Sequence, residues 1–262
     1  MEKGRLLARG RTAEVFEWGE TKVLKLFLKD DNVNQEMTNT TIINQIGLPA
    51  AEVFELVEIE DRKGIIYERI VGSTLMRLIE PTESSLSKHA KVMAALHAEI
   101  HRATHKHPPN LKQELTKKIN RLNHITIENR TEIIRLLDNL PAAHTICHYD
   151  FHPDNIIMSP RGPIIVDWFN TLVGNPNADI MRTLLMLRSH ALPDDPPDWL
   201  LDRNCRLFFH DVYLTEYLRL QEISKEEIDV WLVPTIAVRL GEVVEEEEKE
   251  MLHLLNQELQ KK

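Results

Sequence analysis

The stretch His148-Tyr149-Asp150-Phe151-His152-Pro153-Asp154-Asn155 constrains this chain more than any other. An aspartate and an asparagine stand five residues apart, and the apolar run Ile156-Ile157-Met158 follows at once. Arg161-Gly162 then signals a turn, and a second apolar run, Ile164-Ile165-Val166, ends in Asp167. Two apolar runs about such a turn predict a hairpin, which carries Asp167 back beside Asn155. Phosphoryl transfer from a nucleotide needs one carboxylate to meet a hydroxyl, and an amide plus a second carboxylate to hold magnesium against the phosphates. Asp150, Asn155 and Asp167 supply that set in that order. A histidine and an aspartate two apart are common in any chain. The full spacing, with an apolar strand on each side of the turn and an aspartate at the end, is much rarer.

The stretch resembles the catalytic and metal loops of the aminoglycoside phosphotransferase and choline kinase family, the small-molecule branch of the protein-kinase-like fold. In that family the first motif often reads H-G-D-x-H-P-x-N. Here Tyr149 stands where glycine is usual, while His152-Pro153 fit. The resemblance implies an α+β, two-lobed protein-kinase-like fold. A small N-terminal antiparallel sheet lobe, residues 1–70, would hold the nucleotide. A larger, mostly helical C-terminal lobe, residues 71–262, would carry the catalytic loop and the acceptor site. ATP and Mg2+ are the implied cofactors, with a hydroxyl of a small molecule as acceptor. Asp150 becomes the catalytic residue, and Asn155 and Asp167 the metal ligands. His148 and His152 become braces of the loop.

The N-terminal residues can be read against that expectation. Leu6-Leu7, Val15 to Trp18 and Lys22 to Phe27 read as strands. Lys25 lies in the alternating run Lys22-Val23-Leu24-Lys25-Leu26-Phe27, where an inward lysine is costly unless paired. Lys22 competes with it but sits at the turn. By resemblance Lys25 holds the α- and β-phosphates, and Glu36, on a weakly helical stretch from Asn34 to Ile46, is its partner. An acid in a first helical turn is also favoured on its own account. Gly10 matches the central glycine of a nucleotide loop, with Ala8 and Ala13 in place of the outer two; it reads equally as a hairpin turn. Val53 to Ile59 and Gly64 to Gly72 form two further strands around a polar turn. The second resembles a hinge, where adenine would meet main-chain groups near Glu68 to Ile70.

Helices dominate the rest. Leu86, Ala90, Met93, Leu96, Ile100 and Ala103 recur at three-and-four spacing, and His97, His101 and His105 share that helix. A metal stripe is possible there, although the plainer reading is a polar face with structural histidines. Shorter helices follow around Leu111 to Leu122 and Ile133 to Leu137. About a dozen residues separate Asp167 from a helix at Ile180 to Arg188. That is too short for the peptide platform of a protein kinase, so a small acceptor is favoured over a protein. Asp179 heads this helix as an end anchor or a substrate contact. A long helix is expected from Trp199 to Leu220, a capping box at Ser224-Lys225-Glu226-Glu227, and a kink or stop at Pro234. Glu245 to Glu248 with Glu250 read as a solvated acidic face, or as an attraction for a polyamine-like acceptor.

Composition sets the outer bounds. A chain of 262 residues with 42% hydrophobic content can fill the core of two lobes. A formal net charge of -9 argues against a nucleic-acid surface. Cys147 and Cys205 give no disulfide framework and suit a reducing cytoplasm. The start Met1-Glu2-Lys3-Gly4-Arg5 has no signal-peptide core behind it. No apolar run approaches the ~20 residues of a membrane span. The competing class is a kinase-shaped binding or regulatory module without turnover.

Overall fold

The structure, a computed structural model, describes residues 3–10, 12–29, 33–123, 125–242 and 245–261, without the side chains of Glu245 and Glu246. The chain forms two compact units, Met1–Leu78 with Pro153–Asn170, and Ile79–His152 with Thr171–Lys262. The hairpin segment Pro153–Asn170 thus groups with the N-terminal residues, whereas the sequence division at residue 70 leaves it with the C-terminal ones.

The first unit begins with β1 (Leu6–Arg9), β2 (Ala13–Trp18), β3 (Lys22–Phe27), α1 (Val33–Gln45), β4 (Val53–Ile59) and β5 (Arg62–Glu68). The five strands make one antiparallel sheet in the order β1-β2-β3-β5-β4. Alternation along β3 sorts its side chains. Leu24 and Leu26 are buried with Trp18 and Ile66 on one face. Val23 and Phe27 pack on the other with Val33, Ile65 and Tyr67. Lys25 shares the parity of Val23 and Phe27. Burying each leucine fully is worth roughly 1.5–3 kcal/mol, so a one-residue slip of β3 is strongly disfavoured. β6 (Ser73–Thr74) and α2 (Leu75–Leu78) close this part.

In the second unit α3 (Glu83–Ile100), α4 (Leu111–Asn120) and α5 (Ile127–Asn139) precede β7 (Thr145–Cys147). Thr82, Asn110 and Thr126 cap the three helices with side-chain oxygens.

The chain then re-enters the first unit. β8 (Ile156–Ser159) and β9 (Gly162–Ile165) pair as a hairpin, with Ile156 opposite Ile165, and β6 adds to β8. Gly162 takes the turn at φ 107°, a backbone state that side chains resist. The Ile165 N–H donates to Pro49 O, which ties the hairpin to the loop after α1.

β10 (Leu172–Gly174) returns to the second unit and pairs with β7. α6 (Pro176–Arg188), α7 (Asp198–Leu201), α8 (Arg203–Gln221), α9 (Lys225–Asp229), α10 (Leu232–Leu240) and α11 (Glu245–Gln260) follow. The fold is α+β, with a small antiparallel sheet lobe and a mostly helical one. Three sequence expectations need correction. α6 starts at Pro176, because Asn175 caps it and proline suits a first helical position. The helix expected from Trp199 is broken at Asp202, whose carboxylate caps α8 at Asn204. Pro234 neither stops nor kinks a helix; it lies in the first turn of α10, where its missing N–H has no partner to lose. Among the described residues no helix is long and apolar enough to cross a membrane.

Candidate active site

Each unit holds a part of the predicted site. In the first, the Lys25 ammonium donates to Glu36 Oε1 at 2.7 Å and to Asp167 Oδ1 at 2.9 Å. β3 supplies the lysine, α1 the glutamate, and the residues after β9 the aspartate. Glu36 Oε1 also accepts the Tyr67 hydroxyl at 2.9 Å. Burial pulls the Lys25 ammonium down, but the carboxylates of Asp167 and Glu36 outweigh it and push it up to about 12. The Glu36 carboxyl is raised from its ordinary value by burial and by the charge of Asp167, against the pull of Lys25. Lys22, the competing lysine, lies over the Phe54 ring at 4.0 Å.

The hairpin register explains why Asn155 and Asp167 come to one end of it. Ile156 opposes Ile165, so Val166 faces Asn155, and its N–H donates to Asn155 O at 3.0 Å. Asp167 follows in a left-handed backbone state, φ 62°, which aspartate tolerates better than most residues. α1 also holds the next residues: Asn39 Nδ2 donates to Trp168 O and Phe169 O. Glu36 and Asn39 lie three apart, on one face of α1. The polar composition that weakens this helix is therefore spent on the site.

The remaining expected nucleotide contacts are main-chain features. Gly10 donates its N–H to Ala13 O at 2.8 Å, and Arg11 of the same loop lies outside the described residues. The N–H groups of Glu68 and Arg69 are taken by Glu52 O and Thr21 O. The Glu68 carboxylate pairs with Arg161 at 2.7 Å. Ile70 packs against the sheet's apolar cluster.

In the second unit, one face of α6 grips three consecutive residues of the motif. Asp179 Oδ1 accepts the Tyr149 N–H at 2.9 Å, and the Thr183 hydroxyl donates to Phe151 O at 2.8 Å. Between them, the Arg182 guanidinium stands 3.7 Å from Asp150 Oδ1. Asp179, Arg182 and Thr183 are spaced three and four apart, so they share that face. Tyr149 has φ 59° and a fully buried side chain. A left-handed residue there accounts for the glycine usual in the resembled motif, and a tyrosine holds it under strain.

The expected histidine stripe divides. His97 Nε2 and His101 Nε2 lie 3.2 and 3.3 Å from Asp179 Oδ2, while His105 falls beyond the end of α3 and outside the cluster. The donor atoms of His97, His101 and Asp179 lie within 4.8 Å of one another, a spacing a metal could use. Their other atoms are engaged within the protein. Tyr213 OH meets His97 Nδ1 at 2.6 Å, Tyr217 OH meets His101 Nδ1 at 2.7 Å, and Tyr149 takes the second oxygen of Asp179. The cluster is an internal network around a buried carboxylate, to which His101 Nε2 is hydrogen-bonded and His97 Nε2 comes within ion-pair distance without a hydrogen bond among the described residues. Burial lifts that carboxyl, but the two imidazoles hold it well below the usual range. Asp179 is thus an internal anchor, fully buried.

The acidic run is also partly internal. Glu247 is buried against Arg239 with contacts of 3.0 and 3.2 Å, and Glu250 bonds His190. The side chains of Glu245 and Glu246 lie outside the described residues.

A family model described as the phosphotransferase enzyme family, APH, matches residues 3–223. The chain belongs to the phosphotransferase enzyme family. Solved structures share its fold at low identity. An aminoglycoside-3'-phosphotransferase of type VIII is 17% identical, with 90% of this chain and 93% of that chain covered and a TM-score of 0.62. The aminoglycoside phosphotransferase APH(4)-Ia is 14% identical, with 97% and 90% covered and a TM-score of 0.67. The amicoumacin kinase hAmiN, solved with AMP-PNP, Ca2+ and Ami, is 15% identical, with 97% and 86% covered and a TM-score of 0.62. A comparison with curated proteins gives no match.

Family membership makes the chain a small-molecule phosphotransferase, and its donor atoms fit the implied cofactors. Asn155 and Asp167 offer oxygen ligands, which a hard divalent cation takes. Lys25 offers a positive charge for phosphate oxygens. Asn39, Tyr67, Arg182 and Thr183 were not singled out from the sequence. For Asn39 and Thr183 the signal was present, as a second polar residue three or four positions from Glu36 and Asp179.

Proposed function

We propose that this phosphotransferase moves the γ-phosphoryl group of ATP to a hydroxyl of a small molecule. The observation that carries the reading is the Lys25 ammonium, bonded at once to Glu36 and Asp167. One ammonium bonded to two carboxylates leaves a net negative cluster, which a divalent cation at Asp167 would relieve, freeing the lysine for phosphate oxygens.

In this reading Lys25, fixed by Glu36, meets the phosphates, and Gly10 lets the backbone approach them. Main-chain groups near Glu68 and Ile70 meet the base. Asn155 and Asp167 hold magnesium, which neutralises phosphate charge when bound. Asp150 orients the acceptor hydroxyl and takes its proton. Positioning and charge neutralisation do most of the work in such transfers. The N-terminal sheet lobe serves the nucleotide, and the helical lobe the acceptor.

Thermal shift with ATP and Mg2+ tests the first half. A panel of hydroxylated metabolites and antibiotics in a coupled ADP-release assay tests the second. Stabilisation by the nucleotide and acceptor-dependent ADP release are expected. Stabilisation without release from any acceptor or from water would favour a binding module instead.

A further inference from the structure

Arg182 is buried, yet it contacts the proposed catalytic residue. Its NH1 donates to Glu242 Oε2 at 2.6 Å, and its NH2 stands 3.7 Å from Asp150 Oδ1. The guanidinium carbon lies 4.8 Å from the centre of the Tyr149 ring. Glu242 is braced in turn by Lys118 at 2.7 Å. Burial would lift the Glu242 carboxyl, but Arg182 and Lys118 hold it down at about 2.

The guanidinium is only partly used. Among the described residues its Nε has no hydrogen-bond partner, although it is buried. The approach to Asp150 is close for an ion pair and too long for a direct hydrogen bond. A planar cation in this state faces one carboxylate and is fixed from behind by another. Tyr149 supplies the third wall. Its hydroxyl is buried without a hydrogen-bond partner among the described residues, so the ring is what the site uses. A residue that tolerates φ 59° poorly is kept where glycine would be relaxed. The ring under Arg182 gives that strain a purpose.

We propose that Arg182 is a positioning residue for the transfer. Seated on the Tyr149 ring and clamped by Glu242 and Lys118, it holds the Asp150 carboxylate in the orientation that meets the acceptor. The proposal rests on the reading of Asp150 given above.

The test uses the full chain with ATP, Mg2+ and water as acceptor, following ADP release, and a fluorescent ATP analogue for affinity. Arg182→Leu should lower kcat about a hundredfold, the scale of a misplaced reacting group, and leave KM and nucleotide affinity unchanged. Arg182→Lys should restore part of that rate. Tyr149→Gly relaxes the backbone but removes the ring, so kcat should fall although the loop is less strained. The double variant Tyr149→Gly with Arg182→Leu should be no slower than Arg182→Leu alone. Losses that multiply in the double variant, or a normal kcat in a folded Arg182→Leu, overturn the proposal. Should Arg182→Leu fail to fold, Tyr149→Gly decides, and a wild-type rate there overturns it. Normal turnover in Asp150→Asn refutes the assignment of Asp150 itself, separately from Arg182.

Discussion

Asp179 and Tyr149 are joined through the main chain: the buried carboxylate accepts the Tyr149 N–H at 2.9 Å. This bond fixes the backbone one residue before Asp150, and the same carboxylate gathers His97 and His101. Asp179→Ala leaves the buried Tyr149 N–H and the His101 imidazole without their acceptor, and His97 without its neighbouring charge. One orphaned buried donor costs ~1–3 kcal/mol, so the variant should lose at least about 3 kcal/mol of stability. Urea unfolding measures it, and Asp179→Asn, which keeps one oxygen for Tyr149, should fall between. An unchanged midpoint for the alanine variant would falsify the anchoring role.

Stability should fall on mild acidification. Burial and the neighbouring His101 hold the His97 imidazole down at about 3, against the pull of Asp179. The unfolded chain takes up a proton near pH 6.5 that the folded chain refuses. Stability from this group is therefore complete above about pH 6.5 and is lost toward 3, at about 1.4 kcal/mol per pH unit. His89 and His210, also held down by burial, act with the same sign. Urea midpoints between pH 7.5 and 5 check this, and a flat profile rejects a buried neutral His97.

Removing Lys25 strands Glu36. The variant Lys25→Met keeps the stem but leaves a buried carboxylate with the Tyr67 hydroxyl as its remaining bonded partner among the contacts described above. Breaking a buried pair typically costs ~3–5 kcal/mol, and a partly exposed Asp167 moderates the loss. Nucleotide affinity should fall as well. Lys25→Met combined with Glu36→Gln should be more stable than Lys25→Met alone, and the opposite order would contradict the pairing.

The two acids assigned to chemistry should separate kinetically. Asp150→Asn should lose turnover by about a hundredfold or more while nucleotide affinity stays. Asp167→Ala should abolish the magnesium dependence of nucleotide binding. A magnesium titration of that variant that overlays the wild type's would remove Asp167 from the metal site.

The hairpin was legible in the sequence because its signals are local: two apolar runs, one turn, one glycine. Lys25 was legible because a charge in an alternating strand must be explained. Arg182 was not, since a lone arginine on a helix carries no mark of the three contacts that bury it. The strands β7 and β10 escaped because three-residue pairs have no period to read. The break at Asp202 and the start of α10 at Pro234 show caps outranking apolar spacing, as terminal donors and acceptors must be satisfied before a helix can continue.

The polypeptide passes from one unit to the other after Leu78, after His152 and after Asn170. During synthesis, the ribosome delivers the five-stranded sheet first and the hairpin with Asn155 and Asp167 only after α3 to α5. A fragment ending at Leu78 would lack the strand that β6 pairs with. Grafting an N-terminal half from a relative would import a sheet whose partner hairpin, with Asn155 and Asp167 at its end, remains behind in the recipient, so a chimaera must exchange both segments together.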